Sequence, residues 1–193
     1  LRSLGYVAGH GGAGVGEEDD RSRDDPKDRL GLHQKIMEAQ SRIGHRETGV
    51  AKRLLEEVVA EDEAVLDAHS MLGQIAEEER RPQDAIRHYQ RALELSPEHE
   101  RSLFGLASAY AGLGRFDDAL AGFRRIVDLK GADARSSLAI ADIHVGFRRY
   151  DDAAAALEQA AAKGESSPYF LNKLGEVALN RVYKVHTYLL DGD

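Results

Sequence analysis

The chain contains no cysteine and no tryptophan, only four prolines, and only 6% aromatic residues. Without cysteine there is no disulfide, no thiolate metal ligand and no thiol nucleophile. That absence leaves the compartment open. With so few rings, the core has to be built from Leu, Ile, Val and Ala. No apolar run approaches the roughly 20 residues that span a bilayer. Positive charge is also in short supply: 26 Lys and Arg stand against 34 Asp and Glu, a net charge of −8. A nucleic-acid binder would carry a basic face, and docking on an anionic membrane would need one too. The first residue is leucine and no signal peptide follows it. The chain therefore reads as a processed product or as part of a longer one. Its 193 residues are 42% apolar and 31% charged, which suits one soluble domain rich in surface helix.

What the chain does have is a 34-residue period. Segments opening at Leu66, Glu100 and Ala134 superpose without a gap. Position seven carries Leu72, Leu106 and Ile140, and position eight carries Gly73, Ala107 and Ala141. Position twenty is Ala85, Ala119 and Ala153, and position twenty-four is Tyr89, Phe123 and Leu157. Large and small apolar residues at constant offsets mark one supersecondary unit stacked on copies of itself. Apolar spacing such as Leu103, Leu106, Ala107 and Tyr110, then Ala119, Leu120, Phe123 and Ile126, predicts two helices per unit. Asp117-Asp118 and Asp151-Asp152 fall where second helices begin and are expected to cap exposed amides. Pro82 suits a first helical turn. Lys130-Gly131 and Lys163-Gly164 read as helix ends.

These offsets resemble the tetratricopeptide repeat. The resemblance covers roughly residues 29–181 and is strongest over 66–163. It implies an all-α fold: antiparallel helix pairs stacked in a right-handed superhelix, an α-solenoid. The first helices would line its concave side. The expected repeats are 32–65, 66–99, 100–133 and 134–167, with a C-terminal cap helix at 168–190 and the whole repeat domain at 27–190. The first repeat is degenerate: its position seven is Glu38, and its turn through Gly44 to Gly49 reads as lengthened. In the last helix a stripe of Leu174, Ala178, Val182, Val185 and Leu189 would bury against the preceding pair. Residues 182–188 fit a strand pattern nearly as well.

Residues 8–26, with Gly9-His10-Gly11-Gly12-Ala13-Gly14 followed by an acidic run, read as a flexible linker. The formal G-x-G-x-x-G match there lacks a preceding strand, and the acids after it would repel a pyrophosphate. Residues 1–7, Leu1-Arg2-Ser3-Leu4-Gly5-Tyr6-Val7, with Asp24-Asp25-Pro26-Lys27-Asp28 beyond the linker, resemble the junction after the catalytic domain of bacterial sulfatase-like hydrolases of the alkaline-phosphatase superfamily. That resemblance implies an upstream catalytic domain in the parent chain and a periplasmic or extracytoplasmic location; without it, a cytoplasmic one is expected. The catalytic Cys/Ser-x-Pro-x-Arg motif of those enzymes is not in this chain.

No catalytic motif, cofactor site or metal spacing stands out. The eight histidines form no H-E-x-x-H. His144 reads as a partly buried packing residue, with Asp142 on another helix face. The tetratricopeptide resemblance places positions two, five, nine and twelve of each first helix in the groove. Positions two, five and nine yield Arg101, Phe104, Ser108, Arg135, Leu138, Asp142 and Tyr169 as candidate partner-binding residues. Two arginines one repeat apart, beside Phe104 and Leu138, imply a protein or peptide ligand carrying acidic and apolar side chains. The resemblance thus makes the chain a protein-interaction scaffold rather than an enzyme.

Overall fold

The structure, a computed structural model, describes residues 26–190, with side chains over 30–183. The tail at 1–7 and most of the linker at 8–26 lie outside the described residues. Among these, nine helices and no strand are present: α1 Pro26–Gly44, α2 Thr48–Glu61, α3 Leu66–Glu78, α4 Pro82–Leu95, α5 Glu100–Gly112, α6 Phe116–Lys130, α7 Ala134–Gly146, α8 Tyr150–Ala162 and α9 Pro168–Leu190. Residues 182–188 are helical, so the strand alternative falls.

Helices α3, α5 and α7 each run 13 residues and close the same way. A residue with left-handed backbone follows the helix: Arg80 (φ 58°), Gly114 (φ 74°) or Arg148 (φ 55°). The next amide then reaches back five residues, as in Arg81 N–H to Ala76 O at 2.8 Å and Arg149 N–H to His144 O at 2.8 Å. This closure satisfies carbonyls that the helix leaves unpaired. The first unit uses the same device, with Arg46 at φ 62° and Glu47 N–H on Arg42 O at 2.9 Å. Its turn is therefore not lengthened. Pro82 opens α4, and Gly131 (φ 90°) and Gly164 (φ 97°) follow α6 and α8.

The acids at the second-helix starts do not cap. The N-caps of α6 and α8 are Arg115 and Arg149, neither with a side-chain cap hydrogen bond. Asp118 instead accepts from Arg115 at 2.7 Å, and Asp151 from Arg181 at 2.8 Å. The carboxylates act on the helix dipole and on arginines brought in by the turn and by α9. The side-chain cap falls on Asp133, which accepts from the Ser136 amide at 2.9 Å.

Helices α3, α5 and α7 each bury two stripes. Positions three and ten, such as Ala68 and Ile75 or Ser102 and Ala109, are buried, with position seven between them. Positions four, eight and eleven, such as His69, Gly73 and Ala76, form the second stripe. Gly73 meets Tyr89 of its own second helix, whereas Gly105, at position six, meets the same Tyr89 from the next unit. The second stripe therefore faces the partner helix of the same unit, and the first stripe faces the preceding unit. This explains the degenerate first repeat. In α1 the stripe that would face a preceding unit is Gln34, Glu38 and Ser41, all exposed, while Ala39 at position eight is fully buried against α2. A polar outer face is what a terminal repeat of a stack requires.

The last helix corrects the expected stripe. Phe170 and Val177 are fully buried, with Leu174 packed beside them, whereas Ala178 and Val182 are exposed. Among the described helices α7 and α8 pack against α9, on the side of positions three, seven and ten. Val185 and Leu189 lie outside the described side chains.

Among the described helices, the first helices α1 and α3, α3 and α5, and α7 and α9 touch across units, and no two second helices make comparable contact. The first helices therefore line the inner side of the stack.

Candidate partner-binding groove

The centre of the inner face is built around Tyr89. Its ring passes between Gly73 and Gly105, two positions where a side chain would collide with it. It can do so because glycine lets backbones approach closely. The Tyr89 hydroxyl then donates to Glu77 Oε2 at 2.6 Å. Burial pushes the Glu77 carboxyl above its ordinary value, with the Tyr89 hydrogen bond and the positive charge of Arg135 opposing that shift. Burial, then the bond to Glu77, raise the Tyr89 phenol. Arg135, at position two of α7, lays its guanidinium 3.5 Å from the centroid of Phe104 on α5. Phe104 in turn meets Phe123 with ring centroids 5.0 Å apart. Stacking on an aromatic face holds an arginine in place while its N–H edge stays available for a partner.

The seven expected groove residues are distributed as follows. Arg101 and Arg135 are exposed on neighbouring first helices. Phe104 is half-buried because Arg135 covers it, so it does not offer a bare apolar surface. Ser108 is half-buried, and Leu138 is half-buried against the cluster of Ala141, Ala153 and Leu157. Asp142 is already engaged: Lys173 on α9 reaches it at 2.8 Å and Glu176 at 3.4 Å. Hydrogen bonding to Asp142 raises the Lys173 ammonium above its ordinary value. Tyr169 is 66% exposed at the C-terminal end of the face. Glu77 and Lys173 escaped the sequence reading. Glu77 sits at position twelve, a groove position in the resembled pattern, and that was the signal available for it.

The outer side carries histidines. His144 is buried, not partly so, and its Nδ1 has no hydrogen-bond partner; Asp152 Oδ2 lies 3.9 Å away. Burial holds the imidazole below its ordinary value; the Asp152 charge opposes this, while Arg124 and Arg149 add to it. Ser137, His144 and Asp152 line one pocket of about 340 Å³. Ser137 and His144 are seven residues apart on one helix, about 10 Å along its axis, too far to exchange a proton directly. His69 Nε2 donates to the Glu63 carbonyl at 3.0 Å, and its Nδ1 faces His88 Nδ1 at 3.4 Å. Among the described residues no group of His, Asp and Glu is placed to hold a metal ion. No described helix is long and apolar enough to cross a membrane.

Paired helices, a small residue at each crossing and an inner face of first helices define a helical-repeat solenoid. The chain belongs to the tetratricopeptide repeat family, whose model matches residues 36–100, 71–134 and 138–182. Solved structures share the fold at low identity. A crystal structure of MamA is 20% identical, with a TM-score of 0.66, over 72% of this chain and 81% of that one. PilF of Pseudomonas aeruginosa is 17% identical, with a TM-score of 0.70, over 83% of this chain and 72% of that one. A chain of the APC/C hetero-tetramer Cut9–Hcn1 is 20% identical, with a TM-score of 0.69, over 76% of this chain but 29% of that one. No curated protein sequence matches significantly. None of these likenesses supports the sulfatase-like parent or its upstream catalytic domain. The fold is one of protein–protein interaction scaffolds.

Proposed function

We propose that the chain is a scaffold that holds a peptide segment of a protein partner on its inner face. The segment carries acidic and apolar side chains. The observation that carries this reading is the stacking of Arg135 on Phe104 beside the exposed Arg101. A stacked guanidinium is pre-oriented, so less side-chain freedom is lost when a carboxylate binds it. Ser108 and Tyr169 extend the polar contact along the face, Leu138 gives it an apolar floor, and Asp142 with Lys173 closes its far side. Glu77 beside Arg135 disfavours a second carboxylate at that end and sets the direction of the peptide. The same reading takes 27–190 as the repeat domain, joined through 8–26 to the tail at 1–7.

The test is an array of acidic–apolar peptides probed with the full chain and with the Arg101→Ala, Arg135→Ala double variant. The double variant should lose most of the array signal, and added salt should weaken the wild-type signal, because exposed charge pairs are screened. An array that prefers basic peptides, or a double variant that binds as the wild type does, would overturn the reading.

A further inference from the structure

The two ends of the stack are finished differently. At the N-terminal end the outward stripe of α1 is polar, with Gln34, Glu38 and Ser41 exposed. At the C-terminal end the outward stripe of α9 is Leu171, Gly175 and Ala178, all exposed. These are positions four, eight and eleven, the stripe that α3, α5 and α7 turn toward their own second helices. At position eight the covered residues are Gly73, Ala107 and Ala141, and the two alanines are fully buried. A Cβ on Gly73 would stand 2.6 Å from Tyr89, whereas a Cβ on Gly175 would meet nothing within 4 Å. Glycine inside a helix is destabilising relative to alanine, and among the described residues no close neighbour requires it at 175. Leu171 is 49% exposed, and Leu179 (62%) and Val182 (66%) prolong the apolar surface.

Helix α9 makes no turn at the point where the other first helices do. Helices α3, α5 and α7 stop after 13 residues and turn, but α9 runs straight on for 23, to Leu190. The contacts inside the molecule define what fits. In each complete unit the second helix packed on the first carries a buried alanine and a large buried apolar residue four positions later: Ala85 and Tyr89 in α4, Ala119 and Phe123 in α6, Ala153 and Leu157 in α8; Tyr89 lies against Gly73, and the other two pairs share a core cluster with Ala107 and Ala141.

We propose that the exposed stripe of α9 is a second docking site, separate from the inner groove. It receives an amphipathic α-helix of another protein with that small-x-x-x-large signature, which continues the stack by one helix. Gly175, like Gly73, leaves room for an aromatic ring at the large position. Helix-on-helix recognition of this kind reads anchors at helical spacing.

The experiment uses the full chain and a fluorescently labelled peptide with the sequence of residues 82–96, the second helix whose Tyr89 covers Gly73. The peptide should bind saturably, and replacing its tyrosine with alanine should weaken binding at least tenfold. Gly175→Leu in the full chain fills the seat from a position where a Cβ meets no described residue within 4 Å, so it should weaken binding at least tenfold with an unchanged helical spectrum and melting temperature. Arg101→Ala with Arg135→Ala should leave peptide binding unchanged, which separates this site from the groove. Absence of saturable binding at millimolar peptide would overturn the proposal, as would binding unaffected by Gly175→Leu. Sedimentation showing a concentration-dependent dimer that Gly175→Leu abolishes would also overturn it, making a second copy of this chain the occupant.

Discussion

The ring of Tyr89 occupies the space beside Gly73, where a Cβ would stand 2.6 Å from Tyr89 Cε1. Gly105 presses on the same ring from the next unit. One fully enclosed tyrosine thus links two repeats and sends its hydroxyl through to Glu77 on the inner face. Interiors are close-packed, so such a ring cannot yield without moving both helices.

Gly105→Ala should therefore destabilise the fold by ~1–3 kcal/mol through overpacking. Gly175→Ala, in open space on α9, should be neutral or stabilise by up to ~1 kcal/mol through helix propensity. Urea titration of the two variants checks this, and a Gly105→Ala midpoint equal to that of the wild type would contradict the packing account.

Ala119 is fully buried where α5 and α6 cross, and Ala121 on the same helix is exposed. Ala119→Leu should cost ~1–3 kcal/mol, against less than ~0.5 kcal/mol for Ala121→Leu. Equal losses in the two variants would refute the register.

Removing the hydroxyl with Tyr89→Phe should cost about 1–2 kcal/mol, because Glu77 loses a hydrogen bond while half-buried. The Glu77 carboxyl should titrate at still higher pH, since the bond now holds its value down against burial. Carboxyl carbon chemical shifts across a pH series report this directly. An unmoved Glu77 titration would show that the bond does not form in solution.

His88, His99 and His144 are each held below the ordinary value of 6.5, chiefly by burial. As pH falls through 6.5 the unfolded chain takes up more protons at these sites than the folded one. Their contribution to stability is therefore complete above that value and declines below it, by at most about 1.4 kcal/mol per pH unit for each histidine. Glu77 acts in the opposite sense at lower pH, because its raised carboxyl is protonated first in the folded state. The histidine effect is thus best read between about pH 7.5 and about pH 5.5. The urea midpoint should be lower at the acid end, and a flat or rising midpoint would contradict it.

The repeat, its register and the all-α class were legible in the sequence because they rest on local rules. Helical spacing and small residues at crossings recur every 34 residues, and three consecutive copies make the pattern unambiguous. Even the degenerate first unit obeys them once Ala39, rather than Glu38, is taken as its marker. Tertiary packing decided the rest. Leu174 and Ala178 share an apolar pattern, but among the described helices α7 and α8 cover one side of α9, so one residue is packed and the other is exposed. Arg135 and Phe104 stand 31 residues apart, and nothing in either segment announces that one will stack on the other. Glu77 and Tyr89 meet only because two glycines in different units let a ring through. Periodicity determines which residues face inward on a helix; the neighbours that actually arrive determine what those residues touch.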